Sequence, residues 1–495
     1  MKLFGKYKTV REMLERESNK DLLEKFPHGK PFSRRDLLKA GALQFAATIT
    51  APSLVEILLN AEVAKAQTCL QTPTFVGLKL NGGAAMLGNF VALASNRDYL
   101  NTYEQLGLGT KAQISGRSAT VFGEAKFFDG SQMLAGIRTT ATATTLANTT
   151  FVGIPVASND DTDQNPFDVT YFMSKFGVVG NILPNLGRRQ SATGIAQQPA
   201  LTKTPPTPLV VGSLNDISNA LSVQGSLANL SDNQKVGLFS AINKLSESQA
   251  RRLASNTGGT VFQQLINQAT SQNISLVSNA TSGIDPLQDT AVSARFNTTW
   301  ANANNQNMQN QNVGAMERVF GTMVYNTLKG NAGTCNMDMG GYDYHGQGRQ
   351  TQDAQDLQAG RVMGQILESA AIMQRPVMLM VTSDGAVGAP AGSAPGAAFT
   401  SDRGNGGCIY LFAYHPLRRP TAVDKAGKVD HQVGQVAGQA AVDQNFLTGN
   451  NPALAGLAAF ANFASFSGNL GAFFTIAGNV WSQDQVDQVV RLRKV

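Results

Sequence analysis

The sequence has few charged residues, and very few cysteines, histidines and tryptophans for its length. Charged residues make up 15% of the 495 residues and hydrophobic residues 42%, which excludes a wholly disordered chain because the apolar content suffices for a core. Three Cys residues exclude a small disulfide-stapled scaffold. The length predicts either several domains or one large α/β domain with insertions.

The excess of positive charge lies mainly near the amino terminus. Residues 1–66 hold 12 Lys and Arg against 8 Asp and Glu, a net +4 out of the +6 of the whole chain. The rest of the chain is close to balanced, with 28 against 26. A basic nucleic-acid-binding surface is therefore not indicated, and we expect no nucleic-acid partner.

The amino-terminal segment has the layout of an export signal. Arg34 and Arg35 precede an apolar run over 40–52, and Ala64 and Ala66 occupy the two small-residue positions of a signal-peptidase site. The paired arginines resemble a twin-arginine leader, which implies the twin-arginine export machinery as a partner. We therefore expect a periplasmic or secreted protein.

The apolar run is too short to span a bilayer, since a spanning helix needs about 20 apolar residues. We predict that residues 1–66 form a cleaved signal peptide and that no permanent membrane span follows, with an uncleaved anchor as the alternative. In an oxidising compartment, Cys335 and Cys408 are the expected disulfide pair, because both lie beside predicted strands. Three separate buried thiols are the alternative.

Continuous apolar runs in the chain predict a buried sheet. We expect a long helix over 355–373 and, over 334–341, a strand that runs into a Gly-rich turn. Further strands are expected over 74–80, 151–156, 376–382, 407–414 and 473–476. Apolar strands that alternate with helices predict an α/β fold with a mostly parallel, doubly wound sheet.

Composition divides the chain after the leader into three parts. Residues 67–204 are predicted to form the first part of the α/β core and end in a Pro-rich hinge over 202–208. Residues 205–312 are rich in Asn, Gln and Ser and predict a helical insertion, with a capped helix over 231–253. Residues 313–495 form the second part of the core.

Five side chains have the chemistry and placement of metal ligands. Asp343 and His345 are two residues apart, so in an extended segment both project to one side and could reach one ion. Asp384 follows a buried strand, where open α/β sheets place ligands, and Asp402 and His431 are additional candidates. This donor set suits Zn, Mn, Mg or Ca. The alternatives are a hydrogen-bonded pair that organises a turn and, for Asp384, a turn cap.

Several common catalytic signatures are absent from the sequence. It contains no G-x-S-x-G elbow, no Walker loop and no H-E-x-x-H motif. The acidic loop over 158–165 does not match an EF-hand, since Pro166 stands where Gly is required and Phe172 where Glu is required. Serine-hydrolase, nucleotide-hydrolase and zincin functions are therefore not indicated.

Four features of the chain occur together in a characteristic order. They are the leader, the strand end over 80–83, the Gly-rich turn over 340–345 before a long helix, and the strand end over 382–385. In this order they resemble an uncharacterised exported bacterial family that is distantly related to alkaline phosphatases and sulfatases. The resemblance covers about 30–100 and 313–435 in patches.

This resemblance implies an alkaline-phosphatase-like fold and metal-dependent hydrolysis of phosphate or sulfate esters. Asp343, His345 and Asp384 match the family's motifs. Two features depart from the family. Ala84 and Ala85 follow the first strand, where phosphatase relatives usually have a metal-binding Asp, and Gly385 and Ala386 follow Asp384 in place of Phe and Arg. No Ser or Thr is placed as a nucleophile, so catalytic residues stay unassigned. The alternative function is a non-catalytic cell-envelope binding protein that retains the fold with an altered site.

Overall fold

The computed structural model describes residues 72–158, 165–180, 182–188, 197–221, 234, 284–301 and 313–494. The predicted signal peptide and Cys69 lie outside the described residues. So do most of the acidic loop and all but one residue of the helix predicted over 231–253.

Seven strands form a mixed sheet at the centre of the described chain. They are β1 (Thr74–Leu80), β2 (Thr149–Val156), β3 (Leu183–Gly187), β4 (Leu209–Val210), β5 (Ala332–Met339), β6 (Val377–Ser383) and β7 (Gly407–Tyr414). Their spatial order is β2-β7-β6-β1-β5-β3-β4. The four neighbouring pairs from β6 to β4 are parallel, and the two pairs that involve β7 are antiparallel.

Eleven α-helices occur in the described part of the chain. They are α1 (Lys111–Ser115), α2 (Gln132–Thr140), α3 (Ala143–Ala147), α4 (Thr170–Phe176), α5 (Leu214–Leu221), α6 (Thr290–Ala301), α7 (Val313–Leu328), α8 (Arg349–Ile372), α9 (Pro452–Phe466), α10 (Gly471–Ala477) and α11 (Gln483–Val489). Short strand pairs outside the sheet join Thr102–Tyr103 to Gly109–Thr110, Ser118–Val121 to Ala125–Phe128, Val387–Gly388 to Ser401–Asp402, Thr421–Ala422 to Leu492–Arg493, and Val436–Ala437 to Ala441–Val442.

Helices pack on both faces of the sheet, in agreement with the predicted α/β class. On β1, Val76 and Leu78 point into a core shared with α2, α7 and α8. Phe75, on the opposite face, packs into a second core with α4, α9, α10 and α11. The alternation of side chains along each strand therefore divides the apolar residues between two cores.

The predicted strands over 74–80, 151–156, 334–341, 376–382 and 407–414 are confirmed, with one difference in direction. β2 and β7 lie antiparallel to their neighbours, although both are apolar along their whole length. Burial on both faces explains the apolar runs, and such burial does not depend on strand direction. The predicted insertion also supplies β4, one of the two edge strands of the sheet.

The strand predicted over 473–476 is wrong, because these residues lie in α10. An apolar run of four residues does not distinguish a strand from a buried helical turn by periodicity. Ala472, Phe473 and Ala477 are the buried residues of this helix. They face the core built by α9 rather than a neighbouring strand.

The predicted Cys335–Cys408 disulfide is also wrong, because both thiols are free and buried. Cys335 lies on β5 and Cys408 on β7, with β1 and β6 between them. Three inter-strand steps of about 4.8 Å separate the two strands by about 14 Å, beyond the Cα separation that a disulfide bridges. Burial raises the pKa of both thiols.

Candidate metal site

Three of the five predicted metal ligands lie together at the carboxyl edge of the parallel strands. Asp343 and His345 follow β5, and Asp402 lies in the short pair that joins 387–388 to 401–402. One ligand atom from each of the three residues lies within 4.8 Å of the others, and all three residues are exposed. No other group of three or more His, Cys, Asp or Glu residues in the described part of the chain meets this spacing.

An alternating pattern of burial projects the first two ligands to the same side. Tyr342 and Tyr344 are buried, whereas Asp343 and His345 are exposed. This alternation is what the spacing predicts for an extended segment. The Oδ1 atom of Asp343 accepts a hydrogen bond of 3.0 Å from the backbone N–H of His345, which holds the two residues in a local turn.

The two buried tyrosines attach this segment to helix α8. The hydroxyl of Tyr342 donates to the carbonyl oxygen of Gln355 at 3.0 Å, and that of Tyr344 donates to Asp356 at 2.7 Å. Asn89 donates a second hydrogen bond to the Asp356 carboxylate. Burial raises the pKa of Asp356 to about 6, and the hydrogen bonds from Tyr344 and Asn89 oppose that shift. The sequence analysis did not identify Asp356.

The Gly-rich turn after β1 fits against the same segment. Gly82 has a φ of 107°, and a Cβ atom at this position would lie 2.3 Å from the backbone nitrogen of Asp343. Only glycine allows this approach. The Ser383 hydroxyl donates to the carbonyl oxygen of Gly82 at 2.7 Å. The backbone N–H of Tyr342 donates to the carbonyl oxygen of Asn81 at 3.0 Å. The ends of β1, β5 and β6 are thus joined directly beneath the ligands.

The spacing of the donor atoms is compatible with a shared ion. Nδ1 of His345 lies 3.5 Å from Oδ1 of Asp402. Two ligands that are each about 2.1 Å from a tetrahedral ion lie about 3.4 Å apart. Two carboxylates and one imidazole are donors typical of Zn or Mn sites, and three protein ligands leave room for water or substrate.

The structure places Asp384, the fourth predicted ligand, outside this group. Asp384 is buried and forms an ion pair with Lys79, which is also buried. Its second carboxylate oxygen accepts a hydrogen bond of 3.1 Å from the backbone N–H of Gly82. The side-chain amide of Asn165 donates to its carbonyl oxygen. Asp384 therefore anchors the turn after β1, and not the Gly-rich turn that follows Asp384, which was the predicted alternative.

Lys79, the partner of Asp384, is a buried charged residue that was not predicted from the sequence. A lysine within the apolar strand β1 indicates a buried acidic partner, because an unpaired ammonium is costly to bury. Lys79 lines a cavity of about 10 Å³ with Asp168, Gln197 and Asn336. Burial raises the pKa of Asp168. A polar layer thus lies near the end of β1, on the face of the sheet that also carries Phe75.

The structure gives His431, the fifth predicted ligand, a structural role. Its Nδ1 atom lies 2.7 Å from the carbonyl oxygen of Phe151, and its Nε2 atom accepts a hydrogen bond of 3.0 Å from the backbone N–H of Glu124. Burial lowers the pKa of His431, which favours the neutral ring that these contacts require. The neighbouring Asp430 pairs with Arg97 and Arg491.

Comparisons of this chain with protein-family models, with curated proteins and with solved structures find no match. No helix in the described part of the chain is long and apolar enough to cross a membrane.

Proposed function

We propose that this chain is an exported, alkaline-phosphatase-like protein that hydrolyses phosphate or sulfate esters with a divalent metal ion. The convergence of Asp343, His345 and Asp402 at the carboxyl edge of the parallel strands is the observation that supports the proposal most directly. This edge is where open α/β sheets place their ligands. The resemblance to exported relatives of alkaline phosphatases and sulfatases supports the substrate class.

In this proposal the exposed residues bind the ion and the buried residues hold them in place. A bound divalent ion would polarise an ester oxygen or supply hydroxide as the nucleophile. The two carboxylates would balance its charge, and His345 favours Zn or Mn over Mg and Ca, which prefer oxygen ligands. Ser383 is not available as a nucleophile, because its hydroxyl donates to Gly82 and accepts from the N–H of Ala84.

A non-catalytic envelope protein is the second candidate function. Two of the five predicted ligands, Asp384 and His431, are engaged in contacts that support the fold. The remaining three residues suffice for a surface ion site that mediates binding rather than hydrolysis. The two functions differ in turnover and not in metal content.

Elemental analysis of the protein after export in its host tests the metal site. We expect about one equivalent of Zn or Mn in the parent protein, and a loss of that metal in the Asp343→Ala/His345→Ala variant. Asp484→Ala/His415→Ala removes the same two residue types at positions outside the cluster and should leave the metal content unchanged. A parent protein without metal, or a variant that retains it, would contradict the proposal.

Turnover then separates the two candidate functions. The metal-loaded parent should hydrolyse p-nitrophenyl phosphate or p-nitrophenyl sulfate, and the double variant should lose at least 100-fold in rate, the scale of one lost electrostatic contributor. Stoichiometric metal without turnover of either ester class would favour the non-catalytic function.

A further inference from the structure

A second cavity lies at the opposite edge of the sheet from the candidate metal site. It has a volume of about 150 Å³ and is formed where β1 and β5 begin, where α7 ends and just before β6 begins. Its lining includes Thr74, Val178, Lys329, Ala332 and Arg375. Because β1, β5 and β6 are parallel, their amino ends form this edge.

A close backbone contact at Gly333 shapes part of the cavity wall. A Cβ atom at this position would lie 2.6 Å from the carbonyl oxygen of Pro184 and 2.7 Å from that of Val178. A side chain at Gly333 would therefore force these segments apart. Val178 and Gly333 both line the cavity, so backbone packing holds this part of its wall in place.

The charges that line the cavity are of one sign. Lys329 and Arg375 are its charged residues, and the lining within the described residues contains no Asp or Glu. The Lys329 ammonium lies 3.3 Å from the hydroxyl of Tyr325. Arg375 is half-buried, and across the described ranges its guanidinium makes no hydrogen bond or ion pair. A guanidinium that is partly removed from water without an acidic partner favours an anion.

The carboxyl end of α7 at the cavity carries a partial negative charge, which opposes the binding of an anion. The carboxyl end of α7 contributes Thr327 and Leu328 to the lining, and a helix carries about −0.5 elementary charge at that end. Lys329 and Arg375 together carry two positive charges. Within the described lining, these two charges outweigh the partial charge of the helix end. The Tyr325 hydroxyl beside Lys329 also donates to Asp289 at 3.3 Å, so Arg375 is the principal anion-binding residue and Lys329 is secondary.

We propose that this cavity binds a small oxyanion, a phosphate, sulfate or carboxylate group, through Arg375 with support from Lys329. The planar guanidinium presents paired N–H donors that match two oxygens of such a group. The cavity volume exceeds that of a single phosphate, so the oxyanion can be free or carried by a small molecule. This binding is independent of the proposed hydrolysis, because it uses the other edge of the sheet.

Calorimetric titration of the full chain with inorganic phosphate, with sodium sulfate and with sodium acetate tests this proposal. Metal is first removed with a chelator and by dialysis, so that the anion is not captured by a metal ion at the other edge of the sheet. The ionic strength is held constant, so that general screening of charges does not change during the titration. We expect saturable binding of at least one anion. Arg375→Gln should weaken it at least tenfold, and Arg375→Lys should weaken it less because the charge is retained.

Arg418→Gln provides the matched control, since Arg418 is an exposed arginine away from the cavity. It should bind the anion as the parent does. If Arg375→Gln lowers the unfolding midpoint, the Lys329→Gln variant tests the proposal instead. We expect it to weaken anion binding several-fold. The absence of saturable binding by phosphate, sulfate and acetate would overturn the proposal. So would unchanged affinity in folded Arg375→Gln protein.

Discussion

Lys79 and Asp384 form a buried ion pair between neighbouring strands of the sheet. Both side chains are almost completely removed from water, with 2% and 3% of their surfaces exposed. Desolvation of two charges costs several kcal/mol per ion, and their attraction offsets this cost only while both are present. Asp384 also accepts a hydrogen bond from the backbone N–H of Gly82. The ion pair therefore connects the core to the turn that contacts the candidate metal ligand Asp343.

We expect Lys79→Met to destabilise the protein by about 3–5 kcal/mol, because it removes the cation paired with Asp384 in the interior. The Lys79→Met/Asp384→Asn double variant should recover part of this loss, since the buried negative charge is gone as well. Urea unfolding at neutral pH measures both changes.

Arg117→Met serves as the control, because Arg117 and Asp129 form an exposed ion pair of 3.0 Å. Its expected cost is at most about 1 kcal/mol. Equal costs for Lys79→Met and Arg117→Met would show that burial does not govern the Lys79–Asp384 pair.

At the scale of elements, α8 and α2 approach each other closely. A Cβ atom at Gly360 would lie 2.0 Å from the carbonyl oxygen of Met133, and one at Gly136 would lie 2.2 Å from that of Leu357. Glycine at these positions lets the two backbones touch without side chains between them. Through Asp356, α8 also holds Tyr344 in the metal-site segment, so helix packing and the site are connected.

We expect Gly360→Ala to destabilise the protein by about 1–3 kcal/mol through overpacking. Helix propensity alone predicts the opposite sign, a gain of about 1 kcal/mol for Ala over Gly. Thermal or urea unfolding therefore shows which effect prevails.

The control is Gly116→Ala, where a Cβ atom would meet neighbours only at 3.8 Å. It should change the free energy of unfolding by less than about 0.5 kcal/mol. A stabilising effect of Gly360→Ala would contradict the close approach of α2 and α8.

At the scale of the whole molecule, the sheet separates the candidate metal site from the cavity proposed to bind an anion. The carboxyl edge presents Asp343, His345 and Asp402, which suit a cation. The amino edge presents Lys329 and Arg375, which suit an anion. The parallel strands between them give the two edges different surroundings, because loops of different sequence meet at each edge.

Export is a property of the whole chain, and Arg34 and Arg35 are expected to determine it. We expect Arg34→Lys/Arg35→Lys to block export, so that uncleaved protein accumulates in the cytoplasm. Arg11→Lys/Arg16→Lys makes the same chemical change ahead of the motif and should leave export unchanged. Cell fractionation and mass spectrometry of the amino terminus measure both. Normal export of the first variant would contradict the twin-arginine assignment.

The sequence alone determined the features that depend on local pattern. The apolar runs located β1, β2, β6 and β7, because a buried strand needs apolar side chains whatever its neighbours are. The two-residue spacing of Asp343 and His345 predicted that both side chains project to the same side of the backbone, since side chains alternate along an extended segment. Asn81 and Gly82 after β1 marked a turn at the carboxyl edge.

Only the tertiary structure decided which distant residues meet. Asp402 joins Asp343 and His345, whereas Asp384 pairs with Lys79 and His431 contacts Phe151. All five predicted ligands follow strands or turns, so local pattern does not distinguish those that converge. Strand order and direction decide which ligands converge, because they determine which strand ends and loops lie within a few ångströms of each other. The same order keeps the two cysteines apart on β5 and β7 and brings Arg375 and Lys329 to one cavity.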